Sequence, residues 1–314
     1  MLTFPAAVAA AALTLPPQET AIEAPGPAGA LRGTISGEAA GAPVVLIIPG
    51  SGPTDRDGNN PLGVKAATYR LLAEGLAERG ITSVRIDKRG MFASAGATPD
   101  ANAVTIPDYV ADTRSWIKAI QARTGASCVW LFGHSEGGLV ALAAAEQTAG
   151  ICGIILASAP GRPVGMALRE QLRANPANEP LLEQAFAAIG TLEAGKRVDT
   201  TNLHPALMPL FAPQVQGMMI SLLSYDPAVL LAKYPGSVLV LQGTRDIQVS
   251  VDDALRLKAA RAGTKLALLP DVNHVLKAVT SDDRGANVAT YADPALPLAA
   301  GVVDTVADFV RPRK

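Results

Sequence analysis

The 314-residue chain is poor in charge, aromatics, histidine and cysteine, and each shortage removes a class of protein. Its 27 basic and 28 acidic residues leave a formal net charge of −1, and no run of Lys or Arg concentrates positive charge locally. A phosphate backbone would find no basic surface, so nucleic acid is not an expected partner. Two cysteines, Cys128 and Cys152, are too few for a disulfide scaffold and lack metal-site spacing. Each lies near the start of an expected strand, and the two strands are expected neighbours. A bridge, if the protein is exported, and a pair of buried thiols both remain open. No segment is long and apolar enough to cross a bilayer: "MLTFPAAVAAAALTL" at the start is too short, lacks a basic lead, and is followed by Pro16 and Pro17. Residues 1–30 therefore read as an export signal or as a tail, which leaves a periplasmic or secreted location and a cytoplasmic one both open. Internal repeats are absent too.

What is present is a hydrophobic fraction of 49%, enough to bury a large core and to exclude disorder as the dominant state. After a Pro-, Ala- and Gly-rich lead-in over residues 16–30, strands are expected at 31–37, 43–48, 81–87, 127–133, 151–158, 237–242 and 264–269. Helical patterns fall at 65–79, 107–123, 136–149, 251–261 and 297–310. Alternation of this kind predicts an α/β domain over 31–314, with a mainly parallel sheet covered on both faces. The rhythm breaks between about 160 and 236, where only helical patterns occur. So long an excursion reads as a functional helical cap over the strand ends where α/β proteins bind ligands.

The chemistry concentrates around "VWLFGHSEGGLVALAAAEQ". Ser135 stands between a buried-strand pattern and a helical one, on a turn so tight that side chains at 133 and 137 would collide. Both positions are glycine, giving Gly-x-Ser-x-Gly with a strand before and a helix after. A serine becomes a nucleophile at neutral pH only with a base, and the chain has three histidines. His134 adjoins the serine and should point away; His204 falls in the helical excursion; His274, after the last expected strand, is the candidate. Asp246, after a buried strand, is the candidate to fix its tautomer, with Asp271, Asp252 and Asp253 as competitors. Negative charge on a reacting oxygen needs preorganised N–H donors. Glu136, at a helix start, supplies one, and Ser51 in "PGSG" is the expected source of the other.

Taken together, "PGSGPTDRDGN", "IDKRGMFASAG", "GHSEGG", "GTRDIQV" and "LPDVNHVLK" resemble the α/β-hydrolase superfamily. More narrowly, they are similar to its bacterial esterase branch, often labelled serine aminopeptidase-like or dienelactone hydrolase-like, over about residues 31–312. The resemblance implies a carboxylic ester hydrolase without metal or organic cofactor, with Ser135, Asp246 and His274 as catalytic residues and Ser51 and Glu136 at an oxyanion hole. Many relatives carry His-Gly where this chain has Pro49-Gly50, a departure that bears on the shape of the oxyanion loop.

Met91 and Phe92, and Met208, Phe211, Met218 and Met219 in the excursion, are expected to bind an apolar acyl group, flexible methionines adapting to substrate. Asp55, Asp57 and Asn59 have calcium-loop spacing, but Ala66 stands where the loop would need Glu. Pairing of Asp55 or Asp57 with Arg89 is expected instead. The reading is a serine esterase acting on uncharged short- to medium-chain esters. Alternatives are a peptidase, lactonase or thioesterase on the same residues, or a binding protein of the same fold. A peptidase should place Glu170, Glu179, Glu183 or Glu193 against its substrate. Nothing in the sequence sets the oligomeric state.

Overall fold

In the computed structural model, which describes residues 18–37 and 40–311, eight strands form one sheet. They are β1 (Glu19–Pro25), β2 (Ala30–Ser36), β3 (Val44–Ile48), β4 (Thr82–Ile86), β5 (Val129–His134), β6 (Ile151–Ala157), β7 (Ser237–Gly243) and β8 (Lys265–Leu269). Their spatial order is β1-β2-β4-β3-β5-β6-β7-β8. The pairs from β4 onward are parallel, whereas β1 and β2 form an antiparallel edge.

Side-chain alternation explains why the central strands are apolar throughout. Val44, Leu46 and Ile48 enter one core while Val45 and Ile47 enter the other; Ile154 and Leu156 oppose Ile155 and Ala157 in the same way. The first core is closed by α2 (Ile106–Thr124), α3 (Glu136–Ala144), α8 (Pro227–Lys233) and α9 (Val251–Ala260). The second is closed by α1 (Thr68–Ala77) and, following the short α10 (Arg284–Ala289), by α11 (Val302–Val310).

The lead-in departs from expectation. Residues 19–25 are β1, with Ile22 and Ala24 facing the core, so the sheet starts before residue 31. Only those two positions of "ETAIEAP" carry the inward pattern, which two glutamates and Pro25 dilute in sequence. The apolar start of the chain, residues 1–15, lies outside the described residues.

Between β6 and β7 the chain forms α4 (Val164–Ala174), α5 (Leu182–Glu193), α6 (Met208–Phe211), α7 (Gln216–Leu223) and then α8, which returns to the main core. Helices α4 to α7 enclose a small core of their own around Ala188, Ile189, Leu192, Leu207 and Phe211. The entry to this insert is fastened to α9: the buried Asp253 carboxylate accepts the Gly161 N–H at 3.1 Å and pairs with Arg162. Among the described residues no single helix is long and apolar enough to cross a membrane.

Cys128 and Cys152 form a disulfide between β5 and β6, with Cα atoms 5.1 Å apart and 24 residues of separation. Cross-linking a loop of that length removes unfolded-chain entropy worth about 3 kcal/mol. Thiol titration of the denatured, unreduced protein should therefore find no free thiol. A Cys128→Ser/Cys152→Ser variant should lose about 3 kcal/mol in urea unfolding; two titratable thiols in the wild type would contradict the bridge.

Candidate active site

Ser135 sits between β5 and α3 with φ 54° and ψ −125°, a backbone conformation that a residue bearing a side chain adopts only under constraint. The constraint is contact on all sides. A Cβ on Gly133 would lie 2.3 Å from the Gly137 carbonyl oxygen, and one on Gly137 would lie 2.3 Å from that of Ile48 at the end of β3. Neither position has room for a methyl group. The Ser135 N–H donates to the Ala157 carbonyl at 3.0 Å, tying the turn to β6.

His274 is 5% exposed and lies on a tight excursion after β8. Its neighbours fix it there: the Thr68 hydroxyl donates to the Val275 carbonyl at 3.0 Å, and the Asn273 side chain accepts the Lys277 N–H at 3.0 Å. The His274 Nδ1 is 2.8 Å from Asp246 Oδ2. Asp246 follows β7, and its other oxygen accepts the N–H groups of Gln248 at 2.8 Å and Val249 at 2.9 Å. Burial alone would raise the Asp246 pKa, but His274 and these N–H donors outweigh it and hold the carboxyl below its ordinary value. An ionised Asp246 keeps the proton on Nδ1, leaving Nε2 of a neutral ring as the lone-pair nitrogen. Ser135 and His274 line the same cavity.

The competing acids are engaged elsewhere. Asp271 pairs with Arg245 at 3.2 Å and Asp252 is exposed. Asp253, expected to be solvated, is instead buried at the start of α9.

Beside Ser135, Glu136 is the first residue of α3, where backbone N–H groups have no acceptor within the helix. Ser51 follows Gly50, which packs so closely that a Cβ there would be 3.1 Å from that of Ser135. Among the described residues the Ser51 N–H has no acceptor.

Residues 62–193, less than half of the chain, match the family model described as serine aminopeptidase, S33. An esterase named EstD, from Thermotoga maritima, is 26% identical over 241 residues, which are 74% of this chain and 54% of that protein. The chain thus spans about half the length of the curated relative it matches. A solved α/β hydrolase, GrgF from Penicillium sp. sh18, is 20% identical with a TM-score of 0.56, covering 82% of this chain and 91% of that one. The chain has the α/β-hydrolase fold. A thermophilic esterase from Thermogutta terrifontis has the same fold at 20% identity and a TM-score of 0.52, covering 82% and 92%. Est1E from Butyrivibrio proteoclasticus does so at 15% and 0.54, covering 87% and 95%.

Two cavities open on Ser135. One, of about 300 Å³, is lined by Leu62 and Val64 together with Thr54, Asn60, Tyr69, Gln248 and Tyr291. The other, of about 310 Å³, runs under the helical insert between Leu139, Val164, Leu168, Leu210, Met219 and Leu222. Of the six residues expected to bind an apolar group, only Met219 lines either cavity. Phe211 is fully buried in the core of the insert, Met218 packs on the main core, and Met208 is half-buried at the start of α6. Met91 and the 44%-exposed Phe92 lie on a turn held to β2 by the Arg32 N–H, which donates to Ser94 Oγ at 2.8 Å. Helical spacing separated apolar from polar residues but not the cavity wall from the core behind it.

Arg89 also differs from expectation. It grips Asp112 of α2 with two nitrogens, at 2.6 and 2.7 Å, and Asp108 at 2.8 Å. Asp57 pairs with Arg85, and Asp55 accepts the N–H groups of Asp57 and Asn59 within its own loop. That loop is joined to β4 through Arg56, whose N–H donates to Asp87 at 2.9 Å.

His134, set aside as a base, is buried between Tyr69 and His274. Its Nε2 faces the His274 carbonyl at 2.8 Å, which can only accept, so Nε2 carries the proton. Nδ1 then accepts the Tyr69 hydroxyl at 2.9 Å, and the Tyr69 oxygen accepts the Gly50 N–H at 3.1 Å. Burial, reinforced by His274, pulls the His134 pKa down to about 3. An unfolded histidine takes its proton near 6.5, so between roughly pH 6.5 and 3 the unfolded state binds the extra proton and stability falls as pH falls. Full coupling is about 1.4 kcal/mol per pH unit. Urea unfolding at pH 6.5 and 4.5 should show this loss in wild type and less of it in His134→Gln; parallel slopes would contradict a neutral His134.

Proposed function

We propose that the protein is a serine carboxylesterase that hydrolyses uncharged esters of short to medium acyl chain. The observation that carries this reading is the convergence of Ser135, on its constrained turn, with a buried His274 that is hydrogen-bonded to Asp246. The esterase names of several relatives support it.

In this mechanism Ser135 Oγ attacks the ester carbonyl carbon while His274 Nε2 takes its proton, and Asp246 stabilises the imidazolium. The carbonyl oxygen, now negative, accepts the N–H groups of Ser51 and Glu136. Collapse breaks the ester C–O bond, and the imidazolium protonates the departing alcohol. Water, losing its proton to His274, then attacks the acyl-enzyme and frees the acid and Ser135.

The two cavities suit the two halves of an ester. The one under the insert, with more aliphatic side chains along it, takes the acyl chain, and the other takes the alcohol. A peptidase reading gains nothing from the insert's acids: Glu170, Glu179, Glu183 and Glu193 are exposed and line neither cavity. Two of them, Glu170 and Glu193, pair with Arg162 and Arg169.

Hydrolysis of p-nitrophenyl esters from acetate to palmitate should peak at short to medium length and fall by at least about 10⁴-fold in Ser135→Ala. Filling the cavity under the insert with Met219→Trp should move the optimum toward acetate. A folded wild type silent on every ester but active on peptides would replace this reading with the peptidase one.

A further inference from the structure

Gly50 is held from both sides. Its N–H donates to the Tyr69 hydroxyl, as described, and its carbonyl accepts from Lys88 Nζ at 2.7 Å. Lys88 follows β4 and is only 6% exposed. Burying an ammonium is costly unless its hydrogen bonds are met, so a lysine driven there to meet one backbone carbonyl calls for an explanation.

The peptide plane supplies it. The Gly50–Ser51 bond is trans, as are all peptide bonds among the described residues, so its carbonyl and the Ser51 N–H point in opposite directions. With Lys88 on the carbonyl side, the Ser51 N–H is turned the other way, and Ser51 shares with Ser135 the lining of both cavities. A cation on the carbonyl also polarises the amide and makes its N–H a stronger donor, since linked hydrogen bonds in a low-dielectric interior reinforce one another. The charge is not isolated. Burial lowers the Lys88 pKa, and the Glu136 carboxylate opposes that shift; the ring of Tyr109 lies 5.4 Å from Nζ.

We propose that Lys88 is a positioning residue for oxyanion stabilisation: through the Gly50 carbonyl it orients and polarises the peptide whose N–H, that of Ser51, holds the developing negative charge. This rests on the serine-hydrolase reading of the site. Lys88 touches neither substrate nor Ser135 and acts only through that peptide. Its neighbours Asp87 and Arg89 are committed to Arg56 and α2, so Lys88 alone of "DKRG" bonds to the Gly50 peptide.

The test compares wild type with Lys88→Met, which keeps the stem and removes the charge, and with Lys88→Gln, which keeps a neutral donor. Two readouts are taken: steady-state hydrolysis of p-nitrophenyl butyrate, and the rate at which a fluorophosphonate labels Ser135, followed by intact mass. Circular dichroism and urea midpoints correct each rate for the folded fraction. Direct loss of an oxyanion donor costs about 10²–10³ in kcat. An indirect role should cost Lys88→Met roughly ten- to a hundredfold in kcat and in labelling rate with KM changed less than about threefold, and Lys88→Gln should recover part of it. Wild-type kcat and labelling in both variants would overturn the proposal and leave Lys88 a structural lysine, as would a loss confined to KM. Should Lys88→Met fail to fold, Lys88→Gln decides alone. A wild type that fluorophosphonate does not label would overturn the serine-hydrolase reading itself, an outcome distinct from any of these.

Discussion

The left-handed backbone at Ser135 is the constraint around which the rest of the site is arranged. It lifts one hydroxyl out of a sheet whose central strands are buried on both faces, and it stays lifted only because nothing can relax beneath it. Gly133 and Gly137 touch, Gly137 rests on the end of β3, and Gly50 packs on the serine's own Cβ. Local strain of this kind costs of order 1–3 kcal/mol and persists where surrounding structure overdetermines it. Here the overdetermination comes from two neighbouring strands, β3 and β6, and from the helix that starts one residue later.

Much of this was legible in sequence, because the most informative physical signals were local. Apolar runs such as Val44–Ile48 mark strands buried on both faces, and two glycines flanking a serine mark the turn. His274 and Asp246, singled out by elimination in a chain with three histidines and by position after a buried strand, are hydrogen-bonded to each other. What escaped was set by contacts distant in sequence. Nothing in "ETAIEAP" announces a strand until β2 is there to pair with it. Arg89 found its carboxylates 19 and 23 residues on, along one face of α2, rather than in the loop at Asp55 and Asp57, because only the packed helix shows which acids face it. Neither Tyr69 nor Lys88 carries a sequence pattern that points to Gly50, and only the fold brings both to it.

The end of β4 shows how one short segment organises several elements. Arg85 pairs with Glu19 of β1 and with Asp57, Asp87 meets Arg56, Lys88 meets Gly50, and Arg89 meets α2. These groups are largely buried, so removing one partner would strand a charge, a far larger cost than losing a surface pair. Beside this charged hub, His134 is kept neutral, 4.8 Å ring to ring from a histidine that must accept a proton in the proposed chemistry. Two adjacent imidazoles thus divide the labour, one fixed in a single tautomer and one free to cycle.

The disulfide has a meaning beyond its loop entropy, because of what it encloses. Cys128 and Cys152 bracket β5, the turn at Ser135 and α3, so the cross-linked ring is the one that contains the strained residue. Strain ordinarily escapes by fraying, the segment around it opening while the remainder stays folded. A ring closed across two central strands cannot peel from either end. Subglobal opening at Ser135 is thereby coupled to disruption of the sheet itself, so slow proteolysis and slow hydrogen exchange should be properties of the very loop that holds a strained backbone.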